Sequence, residues 1–280
     1  MIVTRFAPSP TGPLHLGHVY SLLYSYNYSK VNSGKFLLRI EDIDFTRCKE
    51  KFVKEIINDI NWLKIPFIRT KDQSLRGRYY TKALNKLKSM DLVYPCWLSR
   101  KEALDTLSAP HKNSLERTNV LLSEKEIIKR KKIGITPAWR LRIKKCLEYA
   151  KFLQKDLFWH DIGRGRIKLD LEKFGDIIIA RKDISTSYHL SVTIDDDADD
   201  VSHIIRGEDL FESTHIHRLL QILLNLRETK WLHHSLKLDN NGNRIAKRSG
   251  SLLTIKKLRE SGLNFSEVIN LANAKQNFSN

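Results

Sequence analysis

The feature that most constrains this sequence is the segment Arg5–His18, which reads Arg-Phe-Ala-Pro-Ser-Pro-Thr-Gly-Pro-Leu-His-Leu-Gly-His. The apolar residues at Ile2–Phe6 predict a short strand, and a loop with three prolines follows it. We expect a helix to begin at the His-Leu-Gly-His step. Backbone N–H groups and the helix dipole point outward at such a helix start, so this arrangement favours an anion.

His15 and His18 stand three residues apart and share one face of the first helical turn. Two imidazoles in this position can add hydrogen-bond donors to a phosphate. Gly17 lies between them and has no Cβ, so a flat base can approach the backbone there. The alternative is a strand–loop–helix corner in which the histidines only cap and pack.

Alternating apolar patterns along the first third of the chain predict an α/β fold with a doubly wound parallel sheet. The predicted elements are a strand at 2–6, a helix at 16–30, a strand at 35–40, helices at 50–63 and 75–90, and a strand at 92–97. Ligands of such sheets bind at the carboxyl ends of the strands. The Pro-Ser-Pro loop and the Glu41-Asp42 pair both lie at those ends.

From about residue 98 this regularity ends. Residues 111–132 are polar and basic and predict a solvated helix or a mobile loop, and Trp139–Ile143 and Ile167–Leu171 predict half-buried strands. The Rossmann-type pattern resumes with apparent strands at Tyr188–Ile194 and Val201–Ile205, then a helix at about 214–224. We therefore expect a catalytic domain in two parts, 1–97 and 176–280, with an inserted subdomain at 98–175.

The charge of the chain predicts a polyanionic partner. Lys and Arg number 49 against 32 Asp and Glu, a formal net charge of +17, and phosphate neutralisation by such residues releases counterions. No stretch reaches a membrane-spanning length, and the N-terminus runs directly into a strand without a signal peptide. Three widely spaced cysteines suit a reducing compartment, so we expect a cytoplasmic protein, with no membrane partner, that acts as a monomer.

These motifs resemble those of the class I aminoacyl-tRNA synthetases of the glutamyl type. His15–His18 matches the family's HIGH motif, and Lys35–Asp44 is similar to its second strand with an acidic end. Tyr188, Arg206-Gly207 and Arg244–Arg248 follow in the family's order. The resemblance covers essentially the whole chain. It implies ATP with Mg²⁺ as co-substrate, tRNA as a partner, and a nucleic-acid-handling role for the inserted subdomain.

The resemblance also assigns an amino-acid site. Arg5 ends the first strand, and its planar fork suits a carboxylate; by resemblance it recognises the side-chain carboxylate of glutamate. Ala7 and Ser9 line the same pocket. Inside this motif, an ordinary surface arginine is the weaker alternative.

Three further residues complete that site by resemblance. Glu41 ends the second strand, where its carboxylate can hold the substrate ammonium; a salt bridge with Arg39 or Arg47 is the competing role. Tyr188 and Arg206 match later amino-acid-binding positions of the family. A Tyr at a strand start is otherwise more typical of a core.

The Arg244–Arg248 segment corresponds to the mobile lysine loop (KMSKS) of class I enzymes, although Ala246 replaces the usual serine. Lys247 takes the place of the lysine that steadies the transferred phosphates. Amino-acid activation needs no enzyme nucleophile, because the substrate carboxylate attacks the α-phosphate of ATP. The resemblance therefore implies a catalytic set, His15, His18 and Lys247, and an ATP-binding set, His15, Gly17, His18, Lys247 and Arg248.

The sequence contains two candidate metal sites, and it supports neither. The acidic run Asp195–Asp200 is interpreted as a solvated loop. Many short relatives in the family carry a Cys-x-Cys pair followed by a Tyr and a Cys, but here Leu98 follows Cys96 at the second position. One thiolate, even with His111 nearby, falls short of four ligands. We expect no metal and no structural zinc.

Two features favour a short paralogue within the family. The chain continues only to Asn280 after Lys247, too few residues for a helical anticodon-binding domain, and Asp209–Thr214 resembles the paralogue's Asp-Leu-x-x-Ser-Thr step, although His215 departs from its proline. That paralogue attaches glutamate to queuosine in the anticodon of tRNA(Asp). The alternatives are a truncated ligase that charges tRNA(Glu) and a non-catalytic tRNA-binding module.

Overall fold

The strand that leads into the proline-rich loop belongs to a parallel sheet. The computed structural model describes residues 1–98, 122–184, 186–237 and 254–272. In these residues the strands are β1 (Val3–Phe6), β2 (Lys35–Leu38), β3 (Ile68–Arg69), β4 (Val93–Cys96), β5 (Ala138–Leu141), β6 (Phe158–Asp161), β7 (Gly165–Lys168), β8 (Ile178–Ala180), β9 (His203–Gly207) and β10 (Lys230–His234). The helices are α1 (Leu16–Val31), α2 (Glu50–Trp62), α3 (Gly77–Ser89), α4 (Glu124–Lys132), α5 (Ile143–Phe152), α6 (Tyr188–Ala198), α7 (Phe211–Leu224), α8 (Ile255–Glu260) and α9 (Phe265–Ala272).

The strand order confirms the predicted fold class. β2 pairs in parallel with β1 and β3, and β10 pairs in parallel with β9 and β6, while β7 adds an antiparallel edge. The two groups meet beside β1: the Ser202 N–H donates to Val3 O at 3.0 Å, and the Val3 N–H donates to Ser202 Oγ at 2.8 Å. A separate antiparallel sheet contains β4, β5 and β8.

Alternation along β1 and β2 decides which side chains reach the interior on each face. Phe6 packs into a core with α1 and α2, whereas Val3 and Leu37 pack on the opposite face. Because successive strand residues point to opposite faces, Arg5 and Arg39 share the face of Val3 and Leu37. Both arginines therefore point toward α6, where Asp196 receives them.

The predicted strand at Tyr188–Ile194 is wrong, because these residues begin helix α6 (Tyr188–Ala198). The hydroxyl of Ser187 accepts a hydrogen bond from the Leu190 N–H and caps the helix. Polar and apolar side chains of α6 are both buried, so the sequence lacks the apolar stripe opposite an exposed polar face that would show the helical period.

In the inserted region the two predicted strands form only in part: β5 ends at Leu141 and Ile143 begins α5, and β7 shares only Ile167 and Lys168 with the predicted segment Ile167–Leu171. Residues 111–121 lie outside the described residues, and α4 has no buried side chain, as expected of a solvated helix. The β6–β7 hairpin joins the sheet of β9 and β10, and β8 pairs with β5. The predicted subdomain boundaries remain a prediction.

Candidate active site

A cavity of about 400 Å³ opens at the carboxyl ends of β1 and β9. It is lined by every predicted site residue in the described part of the chain: Arg5, Ala7, Ser9, His15, Gly17, His18, Glu41, Tyr188 and Arg206. The fold thus brings together residues from four separate segments of the sequence. Lys247 and Arg248 lie outside the described residues, so their place in the site remains a prediction.

The two histidines stand at the start of α1. His15 is the N-cap residue with an extended backbone, and its N–H donates to Nδ1 of His18 at 3.2 Å. Because that nitrogen accepts, a neutral His18 carries its proton on Nε2. The two rings stack face to face with centroids 3.7 Å apart, so the two imidazoles form a close pair at the helix N-terminus.

The described residues that flank positions 238–253 both lie at this site. Lys237 lines the cavity, and Thr254 forms a β-bridge with His15. The Ile255 N–H also donates to Leu14 O at 3.0 Å. The described residues on either side of the predicted lysine loop therefore lie at the cavity or against His15.

Arg5 is held by a carboxylate that the sequence did not point to. Its Nε donates to Asp196 Oδ1 at 2.9 Å and its Nη2 to Asp196 Oδ2 at 3.3 Å, with both side chains buried. Asp196 also accepts from Arg39 Nη2 at 2.7 Å. Burial raises the pKa of Asp196, but the two guanidinium groups more than offset this and hold it below its usual value.

The prediction of a solvated acidic run is therefore wrong for Asp195 and Asp196. Asp195 is also buried; it accepts from the Tyr80 hydroxyl at 2.8 Å and lies 3.5 Å from Arg76. Burial raises the pKa of Asp195 to about 6, although the charges of Arg39 and Arg76 oppose the shift. Buried carboxylates require such partners, and three arginines distant in sequence supply them. In the sequence, the spacing of Tyr188, Asp195 and Asp199 by seven and four residues is a signal that these side chains share one face of a helix.

Glu41 lies on the cavity wall, 7% exposed, with Oε1 3.4 Å from Arg39 Nη2. The competing partner Arg47 pairs instead with Asp44 at 2.8 Å. Burial raises the pKa of Glu41 to about 7, against the opposing effect of Arg39 and Arg5. A ligand ammonium beside this carboxylate would therefore stabilise its ionised form.

Arg206 ends β9 with its guanidinium buried and all five N–H donors directed at protein acceptors. Its Nη2 donates to Thr214 Oγ1 at 2.6 Å and to Leu210 O at 3.1 Å, and its Nη1 donates to Tyr188 Oη at 3.4 Å. Histidine nitrogens take the remaining two donors. Within the described residues no carboxylate pairs with Arg206, so burial lowers its pKa. A charged guanidinium in this setting attracts an anion from the cavity.

The histidines behind Arg206 were missed by sequence reasoning. Nδ1 of His217 lies 3.3 Å from Arg206 Nη1, and Nε2 of His233 lies 3.3 Å from Arg206 Nε. His189 lies beyond His217, with its Nδ1 3.2 Å from His217 Nε2. Burial lowers the pKa of each histidine, to about 4 for His189, so these rings are neutral near pH 7.

Among its buried charged side chains the cavity presents two cations and one anion, whereas Lys237 and Asp209, which also line it, are more exposed. Arg5 uses two donors for Asp196, which leaves three N–H groups for a ligand within the described structure. Arg206 supplies the second positive charge and Glu41 the negative one. A ligand with two carboxylates and one ammonium matches this arrangement.

Metal ligands are sparse in the described residues. They contain no group of three or more His, Cys, Asp or Glu able to hold a metal ion. Cys96 is buried at the end of β4, and Leu98 stands at the second predicted ligand position. His111 lies outside the described residues.

In the part of the chain that the structure covers, no helix combines the length and apolar character needed to cross a bilayer.

This parallel sheet, with a histidine pair at the first helix and a cavity at the strand ends, defines a class I synthetase catalytic domain. The model of the family "tRNA synthetases class I (E and Q), catalytic domain" matches residues 1–273. The chain belongs to this family of ATP-using ligases.

Several relatives resemble it along most of its length. The glutamyl-Q tRNA(Asp) synthetase of Rhodobacter capsulatus is 37% identical over 262 residues, which cover 89% of this chain and 92% of that protein. Glutamate–tRNA ligase 1 of Ehrlichia chaffeensis is 35% identical over 94% of this chain. The match covers 57% of that ligase, so the chain spans little more than half of its length.

Solved structures agree with the fold. A glutamate tRNA ligase from Elizabethkingia meningosepticum, in complex with its amino acid, superposes with a TM-score of 0.70 at 27% identity. The match covers 94% of this chain and 53% of that one. Methionyl-tRNA synthetase of Mycobacterium tuberculosis shares the fold with a TM-score of 0.59 at 15% identity.

Proposed function

We propose that this protein activates glutamate with ATP and transfers it to queuosine in the anticodon of tRNA(Asp). The observation that carries the amino-acid part is the charge pattern of the cavity, in which Arg5, Arg206 and Glu41 mirror the two carboxylates and one ammonium of glutamate. Glutamine lacks the second negative charge, so its amide offers no carboxylate to the Arg5 N–H groups that Asp196 does not use.

Arg5 is the better candidate for the side-chain carboxylate. Asp196 fixes one edge of its fork and leaves the other edge for the ligand. Arg206 has every donor directed at protein acceptors, so its charge reaches the ligand largely through the Tyr188 hydroxyl, which accepts from it. Tyr188 can then donate its own proton to a substrate carboxylate. Glu41 takes the ammonium.

Activation needs positioning rather than a nucleophile from the protein. The α-carboxylate of glutamate attacks the α-phosphorus of ATP, pyrophosphate leaves with the bonding electron pair, and glutamyl-adenylate remains. His15, Gly17 and His18 at the N-terminus of α1 support the phosphates and the base of ATP, which enters with Mg²⁺. Lys247 and Arg248 of the predicted lysine loop neutralise the leaving phosphates.

Transfer then requires an acceptor hydroxyl. Queuosine carries a cyclopentene diol whose adjacent hydroxyls resemble the ribose diol that class I enzymes esterify. One hydroxyl oxygen attacks the adenylate carbonyl and loses its proton to solvent, AMP leaves with the electron pair of the acyl–phosphate bond, and an ester forms. The full-length similarity to the R. capsulatus glutamyl-Q tRNA(Asp) synthetase favours this acceptor.

A second cavity of about 230 Å³ adjoins the first, since Ser9, Glu41 and Tyr188 line both. We assign it to the acceptor, because a group bound there lies next to the amino-acid site. Arg47 and Arg181 line it and are exposed by 70% and 40% of their side chains. Both arginines also pair with Asp44, at 2.8 and 3.6 Å, and Arg181 pairs with Asp183. Exposed ion pairs of this kind are weak, so the arginines can exchange these carboxylates for the backbone phosphates of an anticodon loop whose bases are splayed out.

Two assays test the proposal in order. ATP–pyrophosphate exchange should depend on glutamate and should be far weaker with glutamine or aspartate; no exchange with any amino acid would favour a non-catalytic module. Labelled glutamate should then appear on tRNA(Asp) that carries queuosine and not on tRNA(Asp) without it.

The acceptor position needs its own control. A tRNA(Asp) that carries queuosine but lacks its 3′-terminal adenosine should still be labelled, because the proposed ester forms at the anticodon. Labelling of queuosine-free tRNA(Glu) at its 3′ end would instead identify a glutamate–tRNA ligase.

A further inference from the structure

Asp161 and His233 form a buried pair directly behind Arg206. Oδ2 of Asp161 lies 2.6 Å from His233 Nδ1, and the two side chains are 1% and 0% exposed. Asp161 ends β6, and His233 lies in the neighbouring parallel strand β10. A residue at the end of β6 is therefore linked through His233 to Arg206, which lines the cavity.

The proton on His233 can be assigned from its partners. Arg206 Nε can only donate, and it lies 3.3 Å from His233 Nε2, so this nitrogen accepts. Nδ1 of the neutral ring then carries the proton and donates it to Asp161. The Thr214 hydroxyl, 3.1 Å from the same Nε2, accepts from Arg206 Nη2 and closes the arrangement.

From this geometry we infer that Asp161 and His233 are positioning residues for Arg206, which they fix for binding the amino-acid substrate. Asp161 sets the tautomer of His233, and His233 in turn supplies the acceptor that fixes the Nε edge of the guanidinium. Neither residue touches the cavity. The inference rests on the proposed function for its substrate, glutamate.

Replacing Asp161 with Asn tests the chain of contacts without changing volume. The other oxygen of Asp161 accepts from the Gly163 N–H at 2.9 Å, and a backbone N–H cannot change its role. In Asp161→Asn the amide oxygen must therefore face Gly163, and the amide NH₂ must face His233. His233 then carries its proton on Nε2. This N–H faces the Nε–H of Arg206, and neither group can accept a hydrogen bond.

The tautomer is read by two-bond ¹H–¹⁵N spectra of histidine-labelled protein. We expect the Nδ1–H form of His233 in the wild type and the Nε2–H form in Asp161→Asn. In ATP–pyrophosphate exchange, the KM for glutamate should rise about 10- to 100-fold, the range known for losing the carboxylate partner of a metal-ligating histidine, while the KM for ATP stays within about twofold. Asp156→Asn removes an exposed carboxylate of the same region and should change neither quantity.

His233→Phe is the second variant, since it keeps a ring of similar size and removes the acceptor. It should raise the KM for glutamate in the same way. An unchanged tautomer in Asp161→Asn, or an unchanged KM for glutamate in both folded variants, overturns the inference. Absence of glutamate-dependent exchange in the wild type would refute the proposed function instead, and the spectra would still decide whether Asp161 sets the tautomer of His233.

Discussion

Arg5 and Asp196 are 191 residues apart in sequence and form a buried double hydrogen bond at 2.9 and 3.3 Å. The pair fixes one edge of the Arg5 guanidinium against α6, and the other edge faces the cavity. Helix α6 also carries Tyr188 at its first turn, where the hydroxyl accepts from Arg206. One helix thus orients both arginines of the site.

Asp196→Asn should lower the free energy of unfolding by about 3–5 kcal/mol, because it removes the carboxylate paired with the buried Arg5, while Arg39 keeps Asp199 at 3.1 Å and Glu41 at 3.4 Å. The measurement is urea denaturation. Asp200→Asn removes an exposed partner of Arg227 and should cost less than about 1 kcal/mol. The pKa of Asp196 is depressed in the folded state, so its stabilisation is full above the unfolded value near pH 4 and falls below it. A loss no larger than that of the control would contradict this role.

Arg5→Ala should abolish glutamate activation while ATP still binds, because the carboxylate loses its bidentate partner. In the wild type, preference for glutamate over glutamine should correspond to about 1–3 kcal/mol, the cost of leaving a buried charged donor half-paired. Exchange kinetics with both amino acids measure this. Arg5→Lys is the control, since it keeps the charge without the fork. Equal activity of the wild type with glutamine would refute the assignment.

Glutamate binding should strengthen as the pH rises through about 7. The pKa of Glu41 is raised to about 7 by burial, so the carboxylate that pairs with the substrate ammonium forms only as the proton leaves. Isothermal titration with glutamate between pH 6 and 8 should show this slope. Glu41→Gln should bind more weakly and with a flatter profile; an unchanged slope in that variant would assign the titration to another group.

Lys247→Ala should lower the rate of activation far more than it lowers ATP affinity, because the lysine acts on charge that develops on the departing phosphates. Single-turnover kinetics of adenylate formation at varied ATP concentration measure the rate and the ATP affinity separately. Arg248 offers a second cation, so a modest single variant with a severe double variant would show that the two share the role. A raised KM for ATP with unchanged turnover would make Lys247 a binding residue only.

Purified, untagged protein should contain far less than one zinc per chain. Cys96 has Leu98 where the second thiolate would stand, and a structural site needs four ligands. Elemental analysis before and after chelation measures the content. Stoichiometric zinc that resists chelation would show that residues outside the described part of the chain complete a site.

The sequence by itself determined the local framework of this protein. The apolar strand before Arg5, the prolines and the His15–His18 step fix a strand, a loop and a helix start from neighbouring residues alone. Arg5, Glu41 and Arg206 could be placed at strand ends by the same reasoning, and all three line the cavity.

Only the tertiary structure decided which charges are buried and what they touch. Asp195 and Asp196 look solvated in a run of acids, and Tyr188–Ile194 resembles a strand, yet the run belongs to a helix enclosed by arginines from other segments. Asp161 gave no signal at all, because its partner His233 comes from a strand 72 residues away. A buried charge is tolerable only beside its counter-charge, and a local pattern does not reveal which distant residue the fold will bring there.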